Sequence, residues 1–480
     1  MLKAVEEADV APSATARRIL PWLVAIAFLM ESLDTTILNT AVPVIARTLS
    51  VTPLSMKSVL ASYTLSLAVF IPVSGWMADK FGTRRVFSAA IGIFTLGSFL
   101  CGISGNIHLL VACRVLQGCG GAMMVPVGRL TLVRTFVRQD FVRAMSFVAI
   151  PALVGPMLAP LAGGLIVDYV SWRIIFFLNI PIGIAGLILV YLNLPDYRED
   201  GVKPLDIEGM ILFGAGVALL SYVLEIFGEH MLSVREVLGL LAIALTLILG
   251  YGLHAVRTAH PLLKLDLFGI RTFAAAVSGS FVTRLGIGGV PFLLPLLYQV
   301  GLGFSPVQSG LLIMPQAVAA LGMKLFMPQI LQRIGYRAVL VSNTIVLGLM
   351  LTVFGLIGPS TPVWFIVLQA FVYGALSSLQ YTSMNTLTYA DVPPAAASNA
   401  SSIASTMQQL SMSFGVAIAG LTTVFFLPGR QHSESALIVH GLHEAFLMLG
   451  VFTALSTLVF VRLNSDDGSG ETLQKDIPAE

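Results

Sequence analysis

Two carboxylates lie three residues apart inside an apolar run near the start of the chain. The run AIAFLMESLDTTILNTAVP, residues 25–43, contains Glu31 and Asp34. On a helix, side chains at positions i and i+3 point to one face, and two acids so close in a low-dielectric cavity titrate as a coupled pair. The spacing predicts that this pair binds protons, with Glu31 as a second proton site or a contact for a cationic substrate. The alternative is that Glu31 turns towards another helix and hydrogen-bonds there as a neutral acid.

A lone arginine, Arg114, lies inside another apolar segment. An unpaired charge at the centre of a bilayer costs about 3 kcal/mol or more, so Arg114 needs a partner, and the simplest one is an acid of the run 25–43. One interpretation is a permanent structural ion pair. The other is a proton-sensitive switch, in which Arg114 stabilises the deprotonated acid and loses its influence when the acid is protonated.

The composition indicates a membrane around these charges. Of the 480 residues, 56% are hydrophobic and only 11% are charged, whereas soluble chains carry about 25% charged residues. A membrane-spanning helix needs about 20 mostly apolar residues, and we identify fourteen such segments. The predicted spans are 20–44, 57–78, 86–105, 108–130, 143–167, 173–193, 207–228, 234–256, 273–300, 306–328, 337–358, 362–386, 397–427 and 438–462.

The basic residues predict the topology. With a cytoplasmic N-terminus, nineteen of the 27 Lys and Arg residues fall in segments on the inner side, five on the outer side and three within spans. Lys and Arg accumulate in cytoplasmic loops of membrane proteins. We therefore expect both termini to be cytoplasmic.

The loop GWMADKFGTRR, between spans 2 and 3, combines an acid with basic residues and glycines. Gly residues allow close approach and a tight turn, and the acid can favour a helix N-terminus or pair with a following arginine. We interpret the loop as a cytoplasmic gate rather than an ordinary basic loop. Its residues are Gly75, Asp79, Gly82, Arg84 and Arg85.

The same loop position recurs in the second half of the chain. At an offset of 253 residues, Gly82 matches Gly335 and Arg84 matches Arg337. Repeated halves are typical of secondary transporters. We predict an all-α integral membrane fold of fourteen transmembrane helices, with two six-helix bundles plus two extra central helices. The predicted parts are an N-terminal cytoplasmic tail (1–19), a first bundle (20–193), a cytoplasmic linker (194–206), two extra helices (207–256), a second bundle (273–462) and a disordered cytoplasmic tail (463–480).

Span 5 contains prolines and small residues in one stretch, GPMLAPLAGG, residues 155–164. Proline bends a helix, and glycine permits near contact with a neighbour. Packing alone explains the pattern, but a bendable tight interface also suits an alternating-access transporter. The residues are Gly155, Pro156, Pro160, Gly163 and Gly164.

Several further polar residues lie within spans. Arg284 is placed mid-span, so it is a candidate contact for a substrate anion or a counter-charge, with a structural role as the alternative. Uncharged polar residues in spans bridge helices or contact substrate. The candidates for a substrate cavity are Thr35, Asn39, Gln117, Arg284, Gln316, Asn385 and Gln409.

The motifs together resemble a known family. GWMADKFGTRR resembles the signature loop of the major facilitator superfamily. LDTTILNTAVP (33–43), RVLQGCGGAMMVP (114–126), GPMLAPLAGG, SWRIIFFLNIPIG (171–183) and the run 393–418 resemble motifs of its fourteen-span drug:proton antiporters, the enterobacterial multidrug efflux proteins above all. The resemblance implies that Arg114 and Asp34 take part in proton coupling and that 155–164 is an antiporter motif that favours export. Ala159, Cys119 and Glu31 depart from the pattern.

We therefore expect a proton-coupled exporter of small, lipophilic or drug-like molecules in a bacterial inner membrane, working as a monomer. An exporter of one metabolite, organic anion or chelate is the alternative, and a transport-dead sensor is a remote one. We expect no enzymatic activity, because no catalytic constellation is present. We expect no metal or other cofactor, with the proton gradient as energy source, and partners limited to the substrate and the bilayer, without nucleic acid.

Overall fold

The computed structural model describes residues 14–136, 138–199, 201–226, 233–393, 396–426, 435–465 and 467–468. These residues form helices and connecting segments, and no strand occurs among them. The all-α fold class is confirmed. The helices are α1 (Ala14–Thr48), α2 (Lys57–Phe81), α3 (Thr83–Ile103), α4 (Ile107–Thr135), α5 (Arg138–Tyr169), α6 (Arg173–Phe177), α7 (Asn179–Asn193), α8 (Ile207–Ile226), α9 (Val234–Arg257), α10 (Arg271–Ile287), α11 (Val290–Leu296), α12 (Pro306–Ile334), α13 (Tyr336–Phe354), α14 (Val363–Tyr389), α15 (Ala397–Phe425), α16 (Ser435–Leu455) and α17 (Thr457–Phe460).

In the described residues these helices make fourteen spans, because α6–α7, α10–α11 and α16–α17 each form one broken span. Twelve spans are long and apolar enough to cross a membrane by length and composition. The other two are α5, whose apolar part is the shorter stretch Val154–Tyr169, and α15. Helix α15 falls short because one of its faces is rich in serine and glutamine, and that face lines a cavity.

Two bundles are built from the two halves of the chain. In the first half α1 packs along α5, and α4 packs along both α2 and α3. In the second half α12 packs along α14, α13 along α16, and α10 along α15. The bundles meet where α2 packs on α15 and α5 packs on α12. Helices α8 and α9 pack on each other, and α8 contacts one helix from each bundle, α2 and α15.

The repeat seen in the sequence is present in the backbone. Gly82, between α2 and α3, has φ +96°, and Gly335, between α12 and α13, has φ +81°. The Gly82 N–H donates to the Ala78 carbonyl, and the Gly335 N–H donates to the Leu331 carbonyl. Each of these hydrogen bonds ends the preceding helix. A side chain disfavours this backbone region, which explains why both halves have glycine there.

The first residues of the predicted C-terminal tail pack against the second bundle. Residues 1–13 and 469–480 lie outside the described residues. The tail predicted to be disordered from residue 463 begins with packed residues. Leu463 belongs to a buried apolar cluster, and Asp467 pairs with Arg271 at the start of α10.

Candidate functional site

Helices α1 and α4 bring Asp34 and Arg114 together. The Arg114 Nη1 donates to Asp34 Oδ2 at 2.5 Å, and only 1–2% of either side chain is exposed. Burying two charges is costly and is tolerated only where pairing and further hydrogen bonds compensate. The partnership expected from the sequence is therefore present, in the middle of the first bundle.

Further donors complete the environment of the Asp34 carboxylate. Gln117 Nε2 donates to Asp34 Oδ1 at 2.8 Å, and its Oε1 accepts from Arg114 Nη1 at 2.8 Å. The Nδ2 of Asn179, the first residue of α7, donates to Asp34 Oδ1 at 3.4 Å. Ser98 on α3 accepts from both amides, at 3.3 Å and 3.0 Å. Four helices thus converge on one carboxylate.

Sequence reasoning missed Ser98 and Asn179 in this network. The sequence predicts Gln117 in the substrate cavity, but its side chain is fully buried behind Asp34 and does not line the cavity. The i, i+3 spacing of Arg114 and Gln117 on α4 is a signal for a shared face. No comparable signal marks Ser98, since only packing brings α3 to this point.

Tyr63 of α2 covers the buried ion pair. The Arg114 guanidinium lies 4.1 Å from the centre of the Tyr63 ring, within the range of a cation–π contact. Both residues line a large cavity, whereas Asp34 does not. The carboxylate is therefore separated from the cavity by the arginine and the tyrosine ring.

The cavity lies between the two bundles and has a volume of about 1370 Å³. It exceeds the usual range of about 300–1000 Å³ for ligand pockets. Helices α1, α2, α4, α14 and α15 contribute most of its wall. Seven predicted cavity or coupling residues line it, and Gln316 does not. The seven are Glu31, Thr35, Asn39, Arg114, Arg284, Asn385 and Gln409.

Glu31 faces the cavity, one turn from the buried Asp34. The structure therefore favours the cavity-facing interpretation over a neutral acid turned towards another helix. Arg129 of α4 also lines the cavity and lies over the ring of Phe28, 5.4 Å from its centre. The first bundle thus presents an acid, Glu31, and an exposed base, Arg129, to the cavity.

Arg284 is the cation of the second bundle. It is only 4% exposed and lines the cavity. Its Nε donates to Ser280 Oγ at 3.0 Å, and its guanidinium lies 4.0 Å from the centre of the Tyr381 ring. Within the described part of the chain, no carboxylate lies within 4.0 Å of Arg284 to form an ion pair. Among the described residues, the face of the Tyr381 ring is the group that balances its charge.

Comparison with known proteins identifies the family. The model of the Major Facilitator Superfamily matches residues 24–416. The chain belongs to the Major Facilitator Superfamily. It is 41% identical over 455 residues, or 95% of both chains, to a Serratia proteamaculans protein that carries the name multidrug resistance protein MdtD. The protein of that name from Escherichia coli (strain K12 / DH10B) is 42% identical over 452 residues, covering 93% of this chain and 94% of the relative.

Solved structures share the fold at low sequence identity. The POT family transporter PepTSo has a TM-score of 0.69 at 16% identity, and the match covers 97% of this chain and 100% of PepTSo. A bacterial homologue of the human lysosomal transporter Spinster has a TM-score of 0.67 at 16% identity, and the match covers 97% of this chain and 99% of the homologue. A D-xylose–proton symporter has a TM-score of 0.67 at 15% identity, and the match covers 93% of this chain and 98% of the symporter. These structures show that the chain has the superfamily fold, and the family match makes it a membrane transporter rather than an enzyme.

In this superfamily member the predicted gate loop lies at the mouth of the cavity. Gly75 and Asp79 line it, together with the linker residues 201–206. We call this end of the molecule the loop end. Asp79 Oδ1 accepts from Arg134 Nη2 of α4 at 2.7 Å, and the same nitrogen reaches Glu199 at 2.5 Å. Of the two roles predicted for Asp79, pairing with Arg84 or Arg85 is wrong, because both arginines open α3 beyond the turn at Gly82 and α4 supplies a closer cation.

The linker after α7 docks on the same loop. The backbone N–H of Arg84 donates to Asp196 Oδ1 at 3.0 Å, which places a carboxylate at the N-terminus of α3, where the helix dipole favours it. The Arg85 side chain is 67% exposed, and its Nε lies as far as 4.0 Å from Asp196 Oδ2. This ion pair therefore contributes little to the stability of the loop. Sequence reasoning missed Arg134, Asp196 and Glu199, whose importance depends on how the linker folds back.

The proline- and glycine-rich motif of α5 lies at helix interfaces. A Cβ on Gly163 would lie 2.7 Å from the carbonyl oxygen of Ile37 in α1, and one on Gly164 would lie 2.5 Å from that of Pro306 in α12. Gly155 faces Ser32 in the same close manner, and Pro156 and Pro160 lie within the helix. The motif therefore allows α5 to touch both bundles at backbone distance.

The molecule is closed at the end opposite the loop end, which we call the far end. Gln299 Nε2 donates to the Thr40 carbonyl at 2.8 Å, and the Val307 N–H donates to Asp168 Oδ2 at 3.0 Å. Ser413 of α15 donates to the Ala61 carbonyl of α2 at 3.0 Å. All three contacts join the halves of the chain. The cavity therefore has its mouth at the loop end.

Proposed function

We propose that this chain is a proton-coupled antiporter that exports small, lipophilic or drug-like molecules by alternating access. The observation that carries the proposal is the buried Asp34–Arg114 pair beside a cavity that also exposes Glu31. A carboxylate held by a cation in a low-dielectric site is sensitive to protonation, since the neutral acid loses the attraction. The names of the relatives, multidrug resistance protein, support the substrate class.

In the proposed cycle Asp34 takes up a proton while the cavity is open at the far end. The protein then opens at the loop end, where substrate entry and proton release are coupled. The loaded protein returns to the other orientation, driven by the proton gradient. No cofactor takes part. We assign the loop end to the cytoplasm of a bacterial inner membrane, with both termini inside, because the basic loops cluster there, and we assign the activity to the monomer.

Proton-driven transport in proteoliposomes tests the role of Asp34. We expect Asp34→Asn to abolish uphill transport driven by a pH gradient while leaving substrate exchange without a gradient. The change leaves Arg114 buried without a counter-charge, which costs about 3–5 kcal/mol. The double variant Asp34→Asn/Arg114→Gln removes both charges and serves if the single variant does not fold. Undiminished gradient-driven transport by either variant would show that Asp34 is not the coupling group.

A second candidate function is export of a metabolite, organic anion or chelate. Arg284 supports it, because a buried cation without a carboxylate partner in the described residues favours an anionic ligand. Fluxes of cationic dyes and of organic anions, measured in the same proteoliposomes, separate the two candidates. If anions are the substrates, Arg284→Gln lowers the anion flux, and neither the wild type nor the variant transports the cationic dyes.

A further inference from the structure

Asn179 occupies a break in the sixth span. Helix α6 ends at Phe177, Leu178 separates the two helices, and α7 begins at Asn179. Pro181 follows two residues later and cannot donate a backbone hydrogen bond. Asn179 is 5% exposed, so its amide must find partners inside the bundle.

The amide of Asn179 is shared between two acceptors. Nδ2 lies 3.0 Å from Ser98 Oγ and 3.4 Å from Asp34 Oδ1. Ser98 donates its own proton to the Phe176 carbonyl at 2.9 Å, so the lone pairs of its oxygen are available to the amides. Gln117 Nε2 makes the same double contact, to Asp34 Oδ1 at 2.8 Å and to Ser98 Oγ at 3.3 Å.

We infer that Asn179, with Ser98 as its second acceptor, is a positioning residue that sets the proton affinity of Asp34 and links it to the break in the sixth span. The inference rests on the proposed proton coupling. Hydrogen bonds to a carboxylate favour its ionised form. When Asp34 binds a proton and its oxygens accept less strongly, Ser98 remains as a partner for both amides. No buried donor is then left unpaired in either protonation state.

Titratable groups on four helices, α1 among them, interact with Asp34. Glu31 lies on its own helix, and the others are Tyr63 on α2, Cys101 on α3 and Arg114 on α4. Helix α11, which also packs on α1, has the sequence VPFLLPL and no titratable residue. From α5 and α7, no titratable side chain forms an ion pair or hydrogen bond with Asp34 in the described residues. Asn179 and Gln117 are therefore its uncharged donors.

The test measures how transport depends on pH. Proteoliposomes with wild type, Asn179→Leu or Ser98→Ala are assayed for gradient-driven transport at internal pH values from about 5.5 to 8.5, with gradient-free exchange as a measure of intact protein. Asn179→Leu keeps the volume and removes the donor. Loss of one hydrogen bond to a charged group predicts that the midpoint moves about one pH unit towards alkaline values, about tenfold in proton affinity.

Asn343 of α13 provides the matched control. It is also 5% exposed, and its amide donates to Gln380 Oε1 at 2.8 Å and to the Leu376 carbonyl at 2.9 Å. Neither acceptor is a carboxylate. We expect Asn343→Leu to lower stability without moving the pH midpoint.

An alkaline shift in Asn179→Leu and an acidic shift in Ser98→Ala, with none in Asn343→Leu, support the inference. An unchanged midpoint in folded Asn179→Leu overturns it, as does an equal shift in Asn343→Leu. If Asn179→Leu does not fold, Asn179→Ser, which retains a donor, and Ser98→Ala decide. The first is expected to keep the wild-type midpoint. The second is expected to move it towards acidic values, because both amides lose the acceptor that they need when Asp34 is protonated. Coupling that depends on Asp34 but not on Asn179 overturns this inference alone, whereas a wild type without proton coupling overturns the proposed function as well.

Discussion

At the scale of single residues, the two acids of α1 have different environments although they are three positions apart. Asp34 is 2% exposed and has its charge matched by Arg114 and two amide donors. Glu31 faces the cavity, where a bound molecule or water provides its partner. Carboxylates in such different surroundings take separate roles. Asp34 is arranged to hold an internal cation, and Glu31 is placed to meet a ligand.

Replacing Glu31 with Gln tests this separation. We expect Glu31→Gln to weaken binding of cationic substrates about tenfold, because one charge-assisted contact contributes about 1.5 kcal/mol. Neutral substrates should bind as in the wild type. Titration of purified protein with a fluorescent cation and a neutral analogue measures both affinities. Glu444→Gln, an acid on α16 that does not line the cavity, is the control, and an equal loss in that variant would contradict a specific role for Glu31.

At the scale of elements, the extra pair α8–α9 is attached to the cavity mouth by one carboxylate. Asp206 accepts from the Gly209 N–H at 2.8 Å, which caps α8, and from the Leu262 N–H at 3.1 Å. His254, in the last turn of α9, lies 2.7 Å from its Oδ1. The linker, both extra helices and the segment that leads into the second bundle therefore meet at Asp206.

The pKa of Asp206 gives this junction a pH dependence. Burial raises its pKa, but the hydrogen bonds from Gly209, His254 and Leu262, with the nearby charge of His254, outweigh it and lower the pKa from 3.8. A lowered pKa contributes stability above the ordinary value, and that stability is lost as pH falls through the folded-state value. We expect Asp206→Asn to destabilise the protein by about 1–2 kcal/mol at pH 7, as for a lost helix cap.

Thermal unfolding in detergent between pH 3 and pH 8 measures this effect. The difference between wild type and Asp206→Asn should shrink below about pH 4, where the wild-type carboxyl becomes protonated. Glu444→Gln is the control, since Glu444 lies on α16, which packs on α10, α13 and α15. A constant difference over the whole pH range would contradict the role assigned to the Asp206 charge.

At the scale of the whole molecule, contacts between the halves are concentrated at the far end, and the cavity opens at the loop end. A Cβ on Gly164 would lie 2.5 Å from the Pro306 carbonyl oxygen, and Gly310 faces the Pro160 carbonyl with similar closeness. Interiors packed this tightly do not absorb an added methyl group without a shift. These two glycines therefore determine how closely α5 and α12 approach in this state.

Substituting either glycine should change the balance between conformations. Overpacking costs about 1–3 kcal/mol, so we expect Gly164→Val and Gly310→Val to shift the population about tenfold or more towards far-end opening. Val170 and Val363 are both exposed at the far end, on opposite bundles. Spin labels at these two positions, in a variant without the native cysteines, report the distance between the bundles at that end. Gly322→Val on α12 is the matched control, because nothing lies within 4 Å of its Cβ. Unchanged distances in Gly164→Val and Gly310→Val would contradict this account of the seal.

Much of the fold was predictable because span length and loop charge are local properties. The fourteen spans, the repeated glycine turn and the pairing of Arg114 with an acid of the first span each follow from residue type and spacing. The limits of local reasoning are visible at Asp79 and Gln117. Asp79 pairs with Arg134, 55 positions away, and Gln117 turns behind Asp34 rather than into the cavity.

By itself, the sequence determined that this chain crosses a membrane many times, that its halves are related, and that Asp34 and Arg114 need one another. A charge without water requires a partner, and a hydrophobic stretch of sufficient length requires a bilayer, whatever the packing. Only the tertiary structure decided that Ser98 and Asn179 complete the site, that Glu31 faces the cavity and that the linker holds the gate loop. Those contacts join residues far apart in the chain, and their geometry depends on how closely the helices pack.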